Sequence, residues 1–170
     1  MALKIVPFEK AHVKEGFNCG KPELDEYLMK YAGQDMRRGL AALFVAVDEG
    51  DNRIYGYYTL SNTGIDTRII PAALQKRLSK YGDVPAIRLG RLAVDQRAQR
   101  QGIGVRLLAN AVIRSVSNAS AWALMVVDAK DDRAAAFYRK FGFDSLEDDA
   151  LHLFSPRKDL ELLFIDAFGA

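Results

Sequence analysis

The sequence predicts one mixed α/β domain whose sheet changes from antiparallel to parallel along the chain. Two apolar runs, Ala42–Val47 and Ile54–Ser61, are joined by the polar turn Glu49–Asn52, which is the pattern of an antiparallel hairpin. Two later runs, Ala86–Val94 and Ala123–Val127, flank a helical pattern, and they form a parallel pair if that helix is the crossover. Antiparallel strands followed by a βαβ unit give a mixed sheet with helices packed on it.

The N-terminal part begins with a short strand at Leu3–Pro7 and continues into a helix that starts at Pro22. Proline suits the first helical turn because its missing N–H would have no partner there. Arg37-Arg38-Gly39 is typical of a helix C-terminus. Helical spacing predicts an apolar stripe formed by Leu24, Tyr27, Leu28 and Tyr31.

Four more helices are predicted after the hairpin, the last of them near the C-terminal end. Pro71–Lys80 forms a short helix, Gln101–Ser117 forms the crossover, and Ala134–Phe141 forms a helix that ends at Gly142. The apolar stripe of the crossover helix is predicted to consist of Val105, Leu108, Ala109, Val112, Ile113 and Val116. The chain closes with a strand at Leu151–Phe154 and a helix at Arg157–Phe164.

Composition fits a single globular domain over residues 1–170. The chain is 49% hydrophobic, which supplies a core, and its net charge of +2 is too small to argue for nucleic-acid binding by itself. A single cysteine excludes an internal disulfide and suits a reducing compartment. Residues 1–10 lack the apolar stretch of a signal peptide, and no apolar run is long enough to span a membrane. We therefore expect a cytoplasmic protein.

The most informative segment is the polar turn between the strand Ala86–Val94 and the crossover helix. It contains Gln99-x-x-Gly102-x-Gly104, so glycines open a helix directly after a strand. The free N–H groups of a helix N-terminus bind phosphate, and glycine lets an anion approach the backbone. A dinucleotide fingerprint is excluded by Leu107 in place of its third glycine, and a P-loop is excluded because no Lys-Ser/Thr follows Gly104. Another kind of phosphate loop, or merely a glycine-softened helix start, remains.

A second motif lies downstream and gives the first one a family context. After the strand end Val126–Ala129 come Asp131, Ala134 and the run Phe137-Tyr138-Arg139-Lys140-Phe141-Gly142-Phe143. Together with Gln99–Gly104, this order resembles the GCN5-related N-acetyltransferase (GNAT) superfamily. The resemblance implies the GNAT fold, in which a βαβ unit with splayed central strands binds acetyl-CoA. Many superfamily members have Asn where this chain has Asp131.

A narrower resemblance covers nearly the whole chain. It implies a TacT-like toxin of a bacterial toxin–antitoxin module, which acetylates the α-amine of aminoacyl-tRNA and blocks translation. It also implies a ribbon-helix-helix antitoxin as partner and a homodimer. The matching segments are Phe17-Asn18-Cys19-Gly20, Leu24-Asp25 with Tyr27-Leu28, Ala32 with Gln34-Asp35, Gly56-Tyr57-Tyr58-Thr59-Leu60-Ser61, Gly90-Arg91-Leu92-Ala93-Val94 and Asp128-Ala129-Lys130-Asp131.

The superfamily resemblance implies how acetyl-CoA is bound. The glycine loop holds the pyrophosphate, and the preceding strand pairs with the pantetheine arm and offers a backbone N–H to the developing oxyanion. No metal is implied. The implied acetyl-CoA contacts are Leu92, Ala93, Val94, Gln99, Arg100, Gln101, Gly102, Ile103, Gly104, Val105, Asp131 and Ala134.

Tyr138 is the predicted general acid. A phenol keeps its proton at pH 7 and can give it to a departing thiolate. The alternative is a core aromatic residue beside Phe137, and the resemblance favours the catalytic role. No general base stands out, since His12 and His152 lie far from the motifs in sequence.

Arginine side chains are the candidates for the tRNA contacts, because phosphates need cations. We select Arg37, Arg38, Arg91 and Arg97, against the alternative of ordinary solvated surface charges. Arg91 is the most suggestive of them, since it lies on the strand predicted to deliver the acetyl group. Two other functions remain open from the sequence. One is acetylation of a small amine, a peptide or a protein N-terminus, and the other is a non-catalytic acyl-CoA-binding regulator.

Overall fold

The computed structural model describes residues 2–78 and 82–166. Its backbone divides into two compact units, and each unit is built from two segments of the chain. The first unit comprises Met1–Ser61 and Gly90–Ala111, and the second comprises Asn62–Leu89 and Val112–Ala170. The single domain over residues 1–170 stays a prediction.

The described residues form one seven-stranded sheet of mixed direction, with strand order β1-β2-β3-β4-β5-β7-β6. Strands β1, β2 and β3 pair antiparallel, β4 and β5 pair parallel, and β5, β7 and β6 pair antiparallel. The predicted change from antiparallel to parallel pairing is therefore confirmed. The strands are β1 (Leu3–Pro7), β2 (Ala42–Asp48), β3 (Ile54–Asp66), β4 (Asp83–Val94), β5 (Leu124–Asp128), β6 (Asp144–Ser145) and β7 (His152–Pro156).

The helices follow the predicted order with shifted ends. The predicted helix Pro71–Lys80 is seen from residue 72 to residue 78, and its last two residues lie outside the described part of the chain. Two helices run on into wider π-helical turns, at Tyr27–Tyr31 and at Leu162–Asp166. The α-helices are α1 (Pro22–Glu26), α2 (Ala32–Arg37), α3 (Ala72–Leu78), α4 (Ile103–Val116), α5 (Asp132–Arg139) and α6 (Arg157–Glu161).

The core of the first unit forms between strands β2 and β3 and the segment α1–α2. Leu24, Tyr27 and Leu28 are buried there as predicted, but Tyr31 is 49% exposed. The cause is the π-helical turn, in which the N–H of Ala32 bonds to the carbonyl of Tyr27 five residues earlier. The extra residue moves Tyr31 off the apolar face and puts Ala32 there instead.

The predicted stripe of the crossover helix is partly wrong. Val105 is 38% exposed and Ile113 is 45% exposed, whereas Ile103 and Leu107 are buried. Gly56 of β3 explains which face of helix α4 is buried, because the missing side chain of Gly56 leaves room for Ile103 and Leu107. A Cβ at Gly56 would come within 3.0 Å of Leu107 and 3.5 Å of Ile103. The apolar pattern of the helix allowed two overlapping faces, and packing selected one.

The second unit has a separate apolar core. Its strands contribute alternate buried residues, and α3 and the segment before it add partly buried ones. The buried members of this core are Ile65, Ile70, Val84, Ala86, Leu124, Val126, Leu146 and Phe154.

None of the helices in the described residues is long and apolar enough to cross a membrane.

Candidate active site

The glycine loop of the first unit has the backbone shape of an anion site. After β4 the chain makes a 3-10 turn and then places Arg100 at φ +63° and Gly102 at φ +76°, both in the left-handed region. Helix α4 begins directly afterwards, at Ile103. Left-handed residues before a helix turn successive N–H groups toward one concavity, and the first helical N–H groups lack intrahelical partners.

Gly102 leaves the mouth of this loop open. A Cβ built on Gly102 would meet no atom within 4 Å among the described residues. The N–H groups of Ile103, Gly104 and Val105 belong to the first turn of α4, where positive partial charge favours an anion. The loop therefore fits a pyrophosphate, which is the role predicted for Gln99, Arg100, Gln101 and Gly102 together with these three residues.

Asp95 fixes the loop on the end of β4. Its side chain is buried at 1% exposure and accepts hydrogen bonds from the N–H of Asn18 (3.0 Å) and from the Arg97 side chain, through Nε and Nη2 at 2.9 Å each. Its own N–H donates to the carbonyl of Tyr55 at 2.8 Å. Burial by itself raises the pKa of Asp95, but the hydrogen bonds from Arg97 and Asn18 outweigh it and hold the pKa below its ordinary value. Asp95 is thus an ionised anchor.

Gln99 closes the loop with its side chain. Its Nε2 donates to the carbonyl of Val94 at 2.9 Å and to the carbonyl of Cys19 at 3.1 Å. The amide therefore ties the loop to β4 and to the N-terminal segment. A contact between Gln99 and a phosphate stays a prediction and would have to come from its backbone.

The backbone of β4 presents free donors beside this loop. The N–H of Arg91 donates to Thr59 on β3 at 3.1 Å, and the N–H of Asp95 also points to β3. Because N–H directions alternate along a strand, the N–H groups of Leu92 and Val94 point to the opposite edge. In the described pairings β5 covers β4 only as far as Leu89. Leu92 and Val94 can therefore pair with an extended amide ligand, but the N–H and the carbonyl of Ala93 face β3. The acetyl-CoA contacts of these three residues stay predictions.

Tyr138 lies in the second unit, on helix α5. Its ring is buried and makes edge contacts with Phe137 (5.2 Å between ring centroids) and Phe143 (5.6 Å). Among the described residues its hydroxyl makes no hydrogen bond. Burial raises the pKa of Tyr138, so the phenol is fully protonated near neutral pH.

Asp131 starts the helix that carries Tyr138. Its side chain accepts a hydrogen bond from the N–H of Ala134 at 2.8 Å, which makes it the N-cap of α5. The sequence assigned both residues to acetyl-CoA. That role stays a prediction, and the cap explains why an acidic residue serves at position 131, where an asparagine would also cap.

The four candidate arginines differ in their surroundings. Arg37 and Arg38 are exposed at the end of α2 and have no ion pair in the described part of the chain. Arg91 is half-buried, with its guanidinium 3.6 Å from the centre of the Tyr27 ring. Arg97 is committed to Asp95 in a two-point ion pair, so its charge is largely satisfied inside the protein. The structure thus leaves three of the four cations available.

Two residues that position the site were missed by the sequence reasoning. Thr59 is buried, and its hydroxyl accepts a hydrogen bond from the N–H of Arg91. A Cβ built on Gly90 would lie 2.8 Å from the same hydroxyl oxygen. Asp95 follows a strand and precedes two polar residues, which is a usual signal for a side chain that caps a turn. Tyr27 was recognised only as a core residue.

Among the residues described, no cluster of side chains has the composition of a metal site.

Comparison with known proteins places this geometry in a family. The model of the acetyltransferase (GNAT) domain matches residues 39–145, which include β4, the glycine loop and Tyr138. The chain belongs to the GNAT acetyltransferase family. The predicted family, the GNAT fold and the acetyltransferase class are thereby confirmed.

A curated relative resembles this chain over nearly its full length. The tRNA-acetylating toxin of Mycobacterium tuberculosis is 36% identical over 152 residues, which cover 88% of this chain and 89% of the toxin. The GNAT chain and this toxin are therefore similar almost from end to end.

Solved structures of GNAT toxins match the whole fold. A tyrosine-to-phenylalanine mutant of KacT has a TM-score of 0.89 at 29% identity and covers 96% of this chain and 100% of KacT. AtaT in complex with acetyl-methionyl-tRNAfMet has a TM-score of 0.84 at 29% identity, with 96% and 98% covered. A tyrosine-to-phenylalanine mutant of AtaT, bound to the C-terminus of the antitoxin AtaR and acetyl-CoA, has a TM-score of 0.79 at 27% identity, with 95% and 98% covered.

Proposed function

We propose that this enzyme transfers the acetyl group of acetyl-CoA to the α-amine of aminoacyl-tRNA and thereby blocks translation as the toxin of a toxin–antitoxin pair. The observation that carries the proposal is the 36% identity, over 88% of the chain, to a toxin named for tRNA acetylation. Translation takes place in the cytoplasm, so the proposal places the enzyme there.

The first unit holds the cosubstrate. The loop at Gly102 and the N–H groups of Ile103, Gly104 and Val105 bind the pyrophosphate, since these groups converge on an open concavity with positive partial charge. Arg100 adds a cation beside them. When bound, acetyl-CoA supplies an activated acetyl thioester.

The backbone of β4 orients the thioester. The outward N–H groups of Leu92 and Val94 pair with the pantetheine amides, and an N–H of this strand polarises the acetyl carbonyl. A donor fixed in a strand needs no reorganisation during the reaction. Removing such a donor costs about 3 kcal/mol of barrier in other acyl-transfer enzymes.

Tyr138 is the proposed general acid. Its buried phenol holds a proton at neutral pH, and it donates that proton to the departing sulfur. Burial disfavours a thiolate as it disfavours a phenolate, so a buried sulfur departs more readily as the neutral thiol. Tyrosine-to-phenylalanine mutants of both KacT and AtaT have been crystallised, which supports a role for a tyrosine in these relatives.

The acceptor RNA binds through cations. Arg37 and Arg38 are exposed and unpaired within the described residues, so both are available to phosphates. Arg91 adds a third cation, and Arg97 acts mainly by bracing Asp95.

The partner is proposed to be a ribbon-helix-helix antitoxin, and the enzyme is proposed to be a homodimer. AtaT binds the C-terminus of the antitoxin AtaR, which supports a neutralising partner for this chain as well. The DNA-binding type of that partner and the dimeric state rest on the sequence resemblance.

The test is transfer of labelled acetyl from acetyl-CoA to a total aminoacyl-tRNA pool, with deacylated tRNA as the control. Label is expected only on charged tRNA, and Tyr138→Phe should reduce the rate by about 100-fold or more. Tyr31→Phe is the matched variant, because Tyr31 is an exposed tyrosine of the same chain and should keep full activity. Transfer to small amines or protein N-termini in place of charged tRNA would overturn the proposal, and acetyl-CoA binding without any transfer would indicate a regulator.

A further inference from the structure

Arg91 is a half-buried cation that has no counter-charge within the described residues. Its guanidinium lies 3.6 Å from the centre of the Tyr27 ring, and the side chain makes no hydrogen bond or ion pair within residues 2–78 and 82–166. An arginine has five N–H donors in one plane, so stacking on a ring leaves its whole edge available. Arg97 shows the contrast, since two of its donors are bound to the carboxylate of Asp95.

Tyr27, on which Arg91 stacks, is held in place through its ring, its hydroxyl and its backbone. Its ring stacks on Tyr57 with 6.4 Å between centroids and 23° between planes, and its hydroxyl donates to Asp35 at 2.9 Å. A π-helical turn begins at Tyr27, where the N–H of Ala32 bonds to its carbonyl, and such turns are frequent at functional sites. Burial and the hydrogen bond to Asp35 raise the pKa of Tyr27 to about 12, so the ring stays neutral beneath the cation.

The backbone of Arg91 is also held. Its N–H donates to the buried hydroxyl of Thr59 at 3.1 Å, and Gly90 allows the close approach because a Cβ there would lie 2.8 Å from that oxygen. Ala93 packs in the same apolar core as Tyr27 and Tyr57, so the side chains of Arg91 and Ala93 share one face of β4. The next residue, Leu92, has its N–H on the edge proposed for the thioester.

A fixed, partly desolvated guanidinium with a free planar edge is suited to a phosphate. Two parallel N–H donors match two phosphate oxygens, and an anion removes the cost of leaving the charge unpaired. Aminoacyl-tRNA carries a phosphodiester one nucleoside away from the amine that accepts the acetyl group. The carbonyl oxygen of the aminoacyl ester is neutral, so it would leave the charge of Arg91 uncompensated.

We propose that Arg91, stacked on Tyr27, binds the 3′-terminal phosphodiester of the acceptor RNA, and that Asp35 positions it through the Tyr27 hydroxyl. The inference rests on the proposed aminoacyl-tRNA activity and adds the residues that place the substrate. Arg91 is then a substrate-binding residue, and Tyr27 and Asp35 are positioning residues.

A comparison of two substrates that carry the same amino acid isolates the contribution of the phosphate to substrate binding. Steady-state transfer is measured with one charged tRNA and with the corresponding aminoacyl-adenosine, which has no phosphate. Arg91→Gln should lower kcat/KM about 10- to 100-fold on charged tRNA, chiefly through KM, and leave aminoacyl-adenosine and the KM of acetyl-CoA unchanged. Arg91→Lys keeps the charge without the planar fork and should recover part of the loss. Arg68→Gln removes an exposed charge of the second unit that is paired with Asp66, and it should leave kcat/KM unchanged on both substrates.

The positioning residues are tested in the same assay. Tyr27→Phe keeps the ring and removes the bond to Asp35, so it should raise the KM for charged tRNA about 3-fold, and Asp35→Ala, which removes the acceptor, should do the same. Equal loss on both substrates, no loss on charged tRNA, or a raised KM for acetyl-CoA in Arg91→Gln would each overturn the phosphate assignment. A wild-type enzyme that transfers to no charged tRNA at all would instead overturn the proposed function.

Discussion

Replacing Gly102 by alanine separates backbone strain from ligand binding in the glycine loop. Gly102 has φ +76°, where an L-residue costs about 1–2 kcal/mol, and a Cβ there meets no atom of residues 2–78 and 82–166 within 4 Å. The free energy of unfolding should therefore fall by only about 1 kcal/mol. The new methyl group, however, occupies the open space in which we place the pyrophosphate.

The magnitude on binding follows from the contacts that are lost. If the methyl group displaces the phosphate from one backbone N–H, a charge-assisted hydrogen bond of about 1.5–3 kcal/mol is lost. The dissociation constant for acetyl-CoA should then rise about 10- to 100-fold. Isothermal titration calorimetry measures that constant, and urea unfolding measures the stability.

Gly39→Ala is the matched control. Gly39 has φ +73° at the end of α2, and a Cβ there also meets no atom within 4 Å of the described structure. It carries the same strain without the proposed ligand, so its loss of stability should equal that of Gly102→Ala while acetyl-CoA affinity stays unchanged. Equal stability loss with unchanged affinity in both variants would refute the placement of the pyrophosphate in this loop.

Two further predictions address the RNA contacts and the loop anchor. Replacing Arg37 and Arg38 together by glutamine should lower the slope of log affinity for charged tRNA against log salt by about 1.4–1.8, measured by filter binding; a slope equal to that of wild type would exclude both residues from phosphate contact. Asp95→Asn should lower the free energy of unfolding at pH 7 by about 2–3 kcal/mol, since its buried carboxylate loses charged hydrogen bonds to the half-exposed Arg97. Because the folded-state pKa of Asp95 lies below its ordinary value, that stabilisation is present above about pH 4 and is lost as the pH falls further, so urea unfolding curves of the two proteins should converge in acid. A constant difference between them at every pH would contradict the ionised anchor.

The sequence predicted the order of the elements and the type of sheet. Strand β1 was placed at Leu3–Pro7 and is found there, and the glycine loop joins a strand to a helix as expected. Hydrophobic periodicity and turn residues are local signals, and they suffice for such assignments. Segment ends were less accurate, since β3 continues to Asp66, five residues beyond its predicted end.

Helix faces were the part of the fold that periodicity could not resolve. The π-helical turn at Tyr27 shifted the face of the N-terminal helix by one residue, and Gly56 selected the face of α4 that buries Leu107. Both events depend on partners that are remote in sequence. A single residue of shift rotates a helix by about 100°, which is enough to exchange Tyr31 for Ala32 in the core.

By itself, the sequence determined that a glycine loop follows a strand, that a tyrosine occupies the Phe-Tyr motif, and that the chain resembles an acetyltransferase toxin. These features are contained in short motifs whose residues are neighbours along the chain. Only the tertiary structure decided which arginine is free to act. Asp95 neutralises Arg97, while the Tyr27 ring holds Arg91 without a counter-charge in the part of the chain that the structure describes. The partner of Arg97 is a near neighbour in sequence, whereas Tyr27 lies far from Arg91 along the chain, so only the fold shows that those two side chains meet.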